Sequence, residues 1–220
     1  MPRILPSQFA TATKQILAKR TIMRKIINLK DSKSVHDQVT QTAVSAAKES
    51  LQAGNIIALP TDTIYGIAAL AQLPNAVDKL YNTKGRRRDN PISICVGDVA
   101  DLKRQMVFVG IRIPDFPFIR EVARACDQPL ALTSANKSLA LSSLAIDEFQ
   151  SLWDQLDVIF DGGRISQSGD DQSSRLGSTV INLSVEGYFK IIRKGSAFEN
   201  TVKLLVNKYG LIELIDSKDN

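Results

Sequence analysis

One histidine, two cysteines and one tryptophan are all that 220 residues contain of those types, and each scarcity removes a class of chemistry. A single His36 leaves no multi-histidine metal site, and a Ser-His-Asp triad would have to be built on it. His36 falls in a stretch that reads as an amphipathic helix, far from the polar loops, so a surface role fits it better. Cys95 and Cys126 lie far apart in apolar stretches. They read as small core residues rather than as a disulfide or a ligand pair. No apolar run approaches the roughly 20 residues of a membrane span. Neither G-x-G-x-x-G nor G-x-x-x-x-G-K-[ST] occurs, so the two common phosphate loops are missing. There is no internal repeat.

Acidic residues are missing from the first 30 positions, which hold seven bases: Arg3, Lys14, Lys19, Arg20, Arg24, Lys25 and Lys30. The rest of the chain carries 21 basic and 23 acidic side chains, a balance of −2. The overall charge of +5 therefore describes an N-terminal arm, not a nucleic-acid-binding body. Hydroxyls at Ser7, Thr11, Thr13 and Thr21, with scattered apolar residues, give this arm the composition of a mitochondrial transit peptide. A basic tail is the plainer alternative. Met23 offers a second start, so the expected location is the cytoplasm, the mitochondrion or both.

What is present is enough apolar side chain for a core, 44% of the residues. Periodicity predicts a helix over 34–53, with Ser34 and Asp37 spaced as a capping box and Val35, Val39, Ala43, Ala46, Ala47 and Leu51 on one face. A strand over 55–59 follows and ends at Pro60. Further helices are expected at 74–81, 98–106, 116–126, around 146–153 and at 198–209, the last carrying Val202, Leu205 and Val206 inward. Strands are expected at 92–96, 107–113, 130–132 and 158–160, and a hairpin at 178–183 and 189–193. Residues 164–177 read as a mobile loop. Adjacent strands mixed with helices argue for a mixed sheet in an α/β or α+β domain. The domain is placed at 34–210, between a basic extension over 1–30 and a tail over 211–220.

Four polar clusters interrupt the apolar elements. Thr61-Asp62-Thr63 with Tyr65 follows the first strand, and its plainer reading is a turn capping the next helix. Lys84 with Arg86, Arg87 and Arg88 suits a triphosphate, or is a solvated charge run. Ser134-Ala135-Asn136 ends a strand, where it can fix a ribose, a phosphate or an amino acid, or serve as a helix N-cap. Ser178-Thr179 faces Arg193 across the predicted hairpin. Arg112 stands in an otherwise apolar strand, and if buried it needs a partner, either an anionic ligand or a structural carboxylate.

In their order along the chain, Pro60-Thr61-Asp62-Thr63-Ile64-Tyr65-Gly66, Lys84-Gly85-Arg86, Asn90-Pro91, Arg112-Ile113-Pro114, Thr133-Ser134-Ala135-Asn136, Ser178-Thr179-Val180 and Ile192-Arg193-Lys194-Gly195 resemble the YrdC-like threonylcarbamoyl-AMP synthases. The eukaryotic YrdC-domain members are most similar. The resemblance runs from about residue 38 to 210. It implies a twisted mixed sheet with flanking helices and a positively charged cleft. It also implies a nucleotidyltransferase that converts L-threonine, bicarbonate and ATP to threonylcarbamoyl-AMP and pyrophosphate, for the t6A modification of tRNA. Carried over by motif, Thr61, Tyr65, Arg112, Ser134 and Ser178 would lie at the threonine site. Lys84, Arg86, Asn136 and Arg193 would hold ATP, with Lys84 and Arg86 meeting the developing charge. Mg2+ is expected on the phosphates, with no protein metal site. The link to tRNA is indirect, with weak RNA binding as a further expectation.

The sequence departs from the family in two places. Lys194 stands where the family usually has proline. More seriously, Lys103-Arg104-Gln105-Met106 runs straight into Val107-Phe108-Val109-Gly110, and the family's Pro-Gly-Pro-x-Thr turn, with the strand and loop around it, is missing. This carries an alternative, a catalytically impaired isoform or a nucleotide- or RNA-binding module of the same fold.

Overall fold

One short strand with both faces apolar sets the architecture. In Ile56-Ile57-Ala58-Leu59, Ile57 and Leu59 point into one core and Ile56 and Ala58 into another, as the period-2 geometry of a strand requires. Both faces must then be covered. The computed structural model describes residues 26–90, 92–101, 110–165 and 175–214. These form two compact units, one ending at Ile165 and the other beginning at Ser166.

The first unit contains β1 (Ile26–Asn28), α1 (Gln38–Gln52), β2 (Ile57–Leu59), β3 (Gly66–Leu70), α2 (Pro74–Lys84), β4 (Ser93–Cys95), β5 (Ile111–Arg112), α3 (Pro117–Cys126), β6 (Leu130–Ser134) and β7 (Val158–Asp161). Its sheet runs β1-β7-β2-β3-β6-β4-β5. Strands β1, β7 and β2 are parallel, β2 to β3 to β6 to β4 are antiparallel, and β4 and β5 are parallel. The mixed sheet with flanking helices is the expected fold class. Helices α1 and α3 supply Ala43, Ala47, Leu51, Ile119 and Val122 to one core. Helix α2 and the 3₁₀ stretch Ile146–Gln155 supply Leu80, Phe149 and Leu152 to the other.

Several boundaries differ from the sequence reading. Strand β1 lies inside the segment assigned to the basic extension, and its Ile26-Ile27-Asn28 pairs with Ile159-Phe160-Asp161. Helix α1 starts four residues later than expected. Asp37, not Ser34, is its N-cap, and its carboxylate accepts from Thr40 N at 2.7 Å. Three backbone N–H groups on that carboxylate hold Asp37 well below the usual carboxylate range. Thr40 and Val44 are buried on this helix, whereas Val39 is 38% exposed. His36 is exposed in the turn before the helix. Strand β3 had not been expected, so 61–65 is a strand-to-strand turn and caps no helix. Only Val99–Asp101, a single 3₁₀ turn, is described of the helix expected over 98–106. Residues 1–25, most of the segment given the transit-peptide reading, lie outside the described ones, as do 102–109 and 166–174. Cys95 and Cys126 are both buried free thiols, and burial pushes Cys95 up to about 12.

The second unit is a hairpin of β8 (Val180–Asn182) and β9 (Tyr188–Arg193), joined by β10 (Ile212–Glu213) parallel to β9 and by α4 (Phe198–Asn207). Residues 212–213, placed in the tail by the sequence, are therefore paired. Of the three side chains expected to face inward from α4, Leu205 is buried, Val202 is partly buried and Val206 is exposed.

Candidate functional site

The turn between β2 and β3 is built by one hydroxyl. Thr61 Oγ1 donates to Ile64 O at 2.7 Å and accepts from the amides of Thr63 and Ile64, both at 3.3 Å. Strand β5 brings Arg112 to this turn. Its Nη2 donates to Thr61 Oγ1 at 3.1 Å, Asp62 Oδ1 at 2.7 Å and Thr63 Oγ1 at 2.8 Å. The Arg112 side chain is only 19% exposed, so its charge needs compensation, and the structural carboxylate is Asp62. All three contacts use one nitrogen. Nε and Nη1 have no partner among the described residues and keep donors for an anion.

The second cluster surrounds Lys84, the last residue of α2. Gly85 takes the left-handed conformation at φ 59° and stops the helix there. Lys84 is 2% exposed. Its Nζ donates to Ser134 O and Asn136 O at 2.6 Å each, with Ser134 Oγ at 3.3 Å and Asn136 Oδ1 at 3.4 Å. Burial, and then the neighbouring Arg86 guanidinium, push this ammonium down to about 8. Arg86 itself donates through Nε and Nη2 to Asn90 O and Asn90 Oδ1, at 2.9 and 2.7 Å. The amide of Asn136 donates to Lys137 O and Ala140 O. No helix begins at 134–136, so the N-cap alternative for this triplet falls.

Tyr65 joins the two clusters. Its carbonyl accepts from Ala135 N and its amide donates to Ser143 O, both at 2.8 Å. The 61–65 turn and the 134–136 turn therefore lie side by side. The Tyr65 ring is fully buried. Its hydroxyl donates to Gly163 O at 2.7 Å and accepts from Gly162 N at 3.0 Å. Burial and the Asp161 carboxylate push this phenol up. A Cβ at position 162 would stand 2.9 Å from Pro60 Cγ, so glycine there allows the close approach.

Within the second unit, Arg193 donates through Nε and Nη2 to Ser178 O at 3.2 and 2.8 Å. This brings together the two members of the fourth sequence cluster. Ser143, 1% exposed, is a polar residue of the site region that sequence reasoning missed. One of two serines in Leu141-Ser142-Ser143-Leu144 carries no pattern that could have found it. A cavity of about 360 Å³ opens between the 29–35 loop, Phe116, Phe118 and Gly162, and none of the expected site residues lines it.

Comparison with known proteins places this arrangement. The Sua5/YciO/YrdC family model, described as Telomere recombination, matches residues 49–107 and 103–195. The chain belongs to this family. It is 42% identical to human threonylcarbamoyl-AMP synthase, over 77% of this chain and 73% of that protein. It is 30% identical to a putative threonylcarbamoyl-AMP synthase of Methanocaldococcus jannaschii, over 67% of this chain and 85% of that protein. Among solved structures, Sua5 of Pyrococcus abyssi complexed with L-threonine superposes with a TM-score of 0.70 at 20% identity, covering 86% of this chain and 62% of that one. Escherichia coli YciO superposes with a TM-score of 0.61 at 18% identity, covering 77% of this chain and 94% of that one. Both structures share the fold. The family match breaks where the sequence departs from the expected pattern, at 103–107. The alignment with the human protein spans 207 residues but takes in 77% of 220, about 169, which leaves about 38 positions without a counterpart in this chain.

Proposed function

We propose that this chain is a threonylcarbamoyl-AMP synthase, a nucleotidyltransferase that uses L-threonine, bicarbonate and ATP. The observation that carries the reading is the juxtaposition through Tyr65 of two turns, one holding an arginine with open donors and the other a buried lysine beside a serine hydroxyl. Relatives 42% identical to this chain bear the synthase name. In this reading Arg112 and the 61–63 hydroxyls receive the threonine carboxylate, with Ser134 beside it. Arg86 and the 134–136 turn receive ATP, and Lys84 adds positive charge close by. Ser178 and Arg193 are carried over by motif alone, Ser178 to threonine and Arg193 to ATP.

The chemistry needs positioning and charge neutralisation more than a side-chain nucleophile. The threonine ammonium sheds protons, and its nitrogen bonds to the carbon of CO2, formed from bicarbonate with loss of water. A carbamate oxygen then attacks the α-phosphorus of ATP. The bond to the bridging oxygen breaks, and pyrophosphate leaves with that electron pair. Arg86 and Lys84 neutralise charge that grows on the phosphates. Mg2+ would enter on ATP as part of the substrate. Among the described residues no three His, Cys, Asp or Glu side chains gather to hold it. The product would supply the t6A modification of tRNA, in the cytoplasm, the mitochondrion or both.

The positions missing near 103–107 favour a second reading, the same fold impaired in turnover and retained as a nucleotide- or RNA-binding module. Pyrophosphate release from ATP by the purified chain, with and without L-threonine and bicarbonate, separates the two. Release requiring both substrates supports the synthase. A folded chain that releases none, and that regains release when the relatives' segment is inserted, supports the impaired form.

A further inference from the structure

The turn at 134–136 is unusual in where its carbonyls go. A strand end normally leaves such groups to water. Here three consecutive carbonyls each accept from a buried side chain. Lys84 Nζ takes Ser134 O and Asn136 O at 2.6 Å, and Ser143 Oγ takes Ala135 O at 2.7 Å. Lys84 and Ser143 are 2% and 1% exposed. Two of the triplet's amides are occupied too: Asn136 N donates to Ser134 O at 3.0 Å and Ala135 N to Tyr65 O at 2.8 Å. With all three carbonyls held from inside, the turn is fixed, and the Ser134 hydroxyl, which accepts from Lys84 Nζ at 3.3 Å, keeps its own proton to donate.

We infer that Ser143 is a positioning residue for the nucleotide site: its hydroxyl, with the Lys84 ammonium, fixes the 134–136 turn that receives ATP. Ser143 touches no substrate in this scheme. It acts through Ala135, and its own carbonyl, on Tyr65 N, ties the same turn to the one holding Arg112. An ammonium whose short bonds go to two carbonyls has little donor capacity left for a phosphate. Lys84 accordingly contributes charge and shape, and direct phosphate contact falls to other groups. The inference rests on the reading of this site as one that takes ATP.

The test compares wild type, Ser143→Ala and Ser143→Thr by amide hydrogen exchange and by binding of ATP. Exchange reports the turn and needs no activity. Loss of one buried hydrogen bond corresponds to about a tenfold effect. Ser143→Ala should speed exchange at Ala135 and Asn136 about tenfold more than in β2 and β3, and weaken ATP about tenfold. Ser143→Thr, which keeps the hydroxyl, should restore both. Unchanged exchange at Ala135 and Asn136 in Ser143→Ala would overturn the inference, as would a uniform rise across the first unit. Faster local exchange with unaltered ATP affinity would also overturn it. If wild type itself binds no ATP, the nucleotide reading fails, while the exchange data still decide whether Ser143 sets the turn.

Discussion

Arg112 reaches Asp62 across fifty positions of sequence, with Nη2 2.7 Å from Oδ1. Asp62 and two threonine hydroxyls hold the guanidinium by one nitrogen, and Nε and Nη1 are left open. Arg112→Lys keeps the charge but loses the planar fork. We expect the KM for threonine to rise about tenfold or more, since the open donors go with the fork. Stability should change little. The two side chains are 19% and 28% exposed, and a pair so placed is worth about 1 kcal/mol. Steady-state kinetics with a thermal melt checks both statements.

Lys84 gives a pH dependence of definite sign. Its ammonium titrates at about 8 in the fold, against 10.5 ordinarily. Between those values the unfolded chain binds a proton that the folded chain has released, so stability from this group rises with pH. Below about 8 both states are protonated and the fold carries the cost of a buried charge. The effect is on the order of 1–3 kcal/mol. Urea denaturation at pH 7.5 and 9.5 should show the rise in wild type. Lys84→Met should abolish it.

Gly195 sits against the backbone that Arg193 grips. A Cβ there would stand 2.2 Å from Ser178 C and from Thr179 N, and 2.6 Å from Gly177 O. Backbone atoms cannot swing away as a flexible side chain would. Gly195→Ala should therefore separate the 177–179 stretch from the end of β9 and break the Arg193–Ser178 bonds, at a cost of about 3 kcal/mol or more. Hydrogen exchange should rise over 177–196 and not in the first unit.

The polar clusters were legible from their motifs, because strand-end turns with hydroxyls and cations stand out against apolar runs. Which partner each would take was not. The sequence left Arg112 open to a ligand or a carboxylate, and only the placement of β5 beside β4 brings it to Asp62. Strand β3 was hidden by Gly66-Ile67-Ala68-Ala69-Leu70, where glycine and two alanines mute the strand signal. Strand β1 was hidden by its neighbours, since an acid-free basic arm drew attention from Ile26-Ile27. Ser143 carried no local signal at all; its bonds to Ala135 O and from Tyr65 N appear only once the chain is folded.

Tyr65 is a test of how far one buried hydroxyl supports this site. Its oxygen both accepts from Gly162 N and donates to Gly163 O, so Tyr65→Phe removes two bonds to a loop in which Gly162 is exposed and Gly163 half-buried. Water can take over part of each, so the net loss is about 0.5–1.5 kcal/mol per bond. The ring, which packs on Phe149 with centroids 5.7 Å apart, keeps its contacts in the variant, so the loss belongs to the hydroxyl alone. We expect a destabilisation of about 1–3 kcal/mol in urea with the denaturant slope unchanged. Exchange should quicken at Gly162 and Gly163 before it does at Ala135, whose bond is to the Tyr65 carbonyl and survives the change. If the 134–136 amides loosen first instead, the 161–163 loop is not what anchors Tyr65.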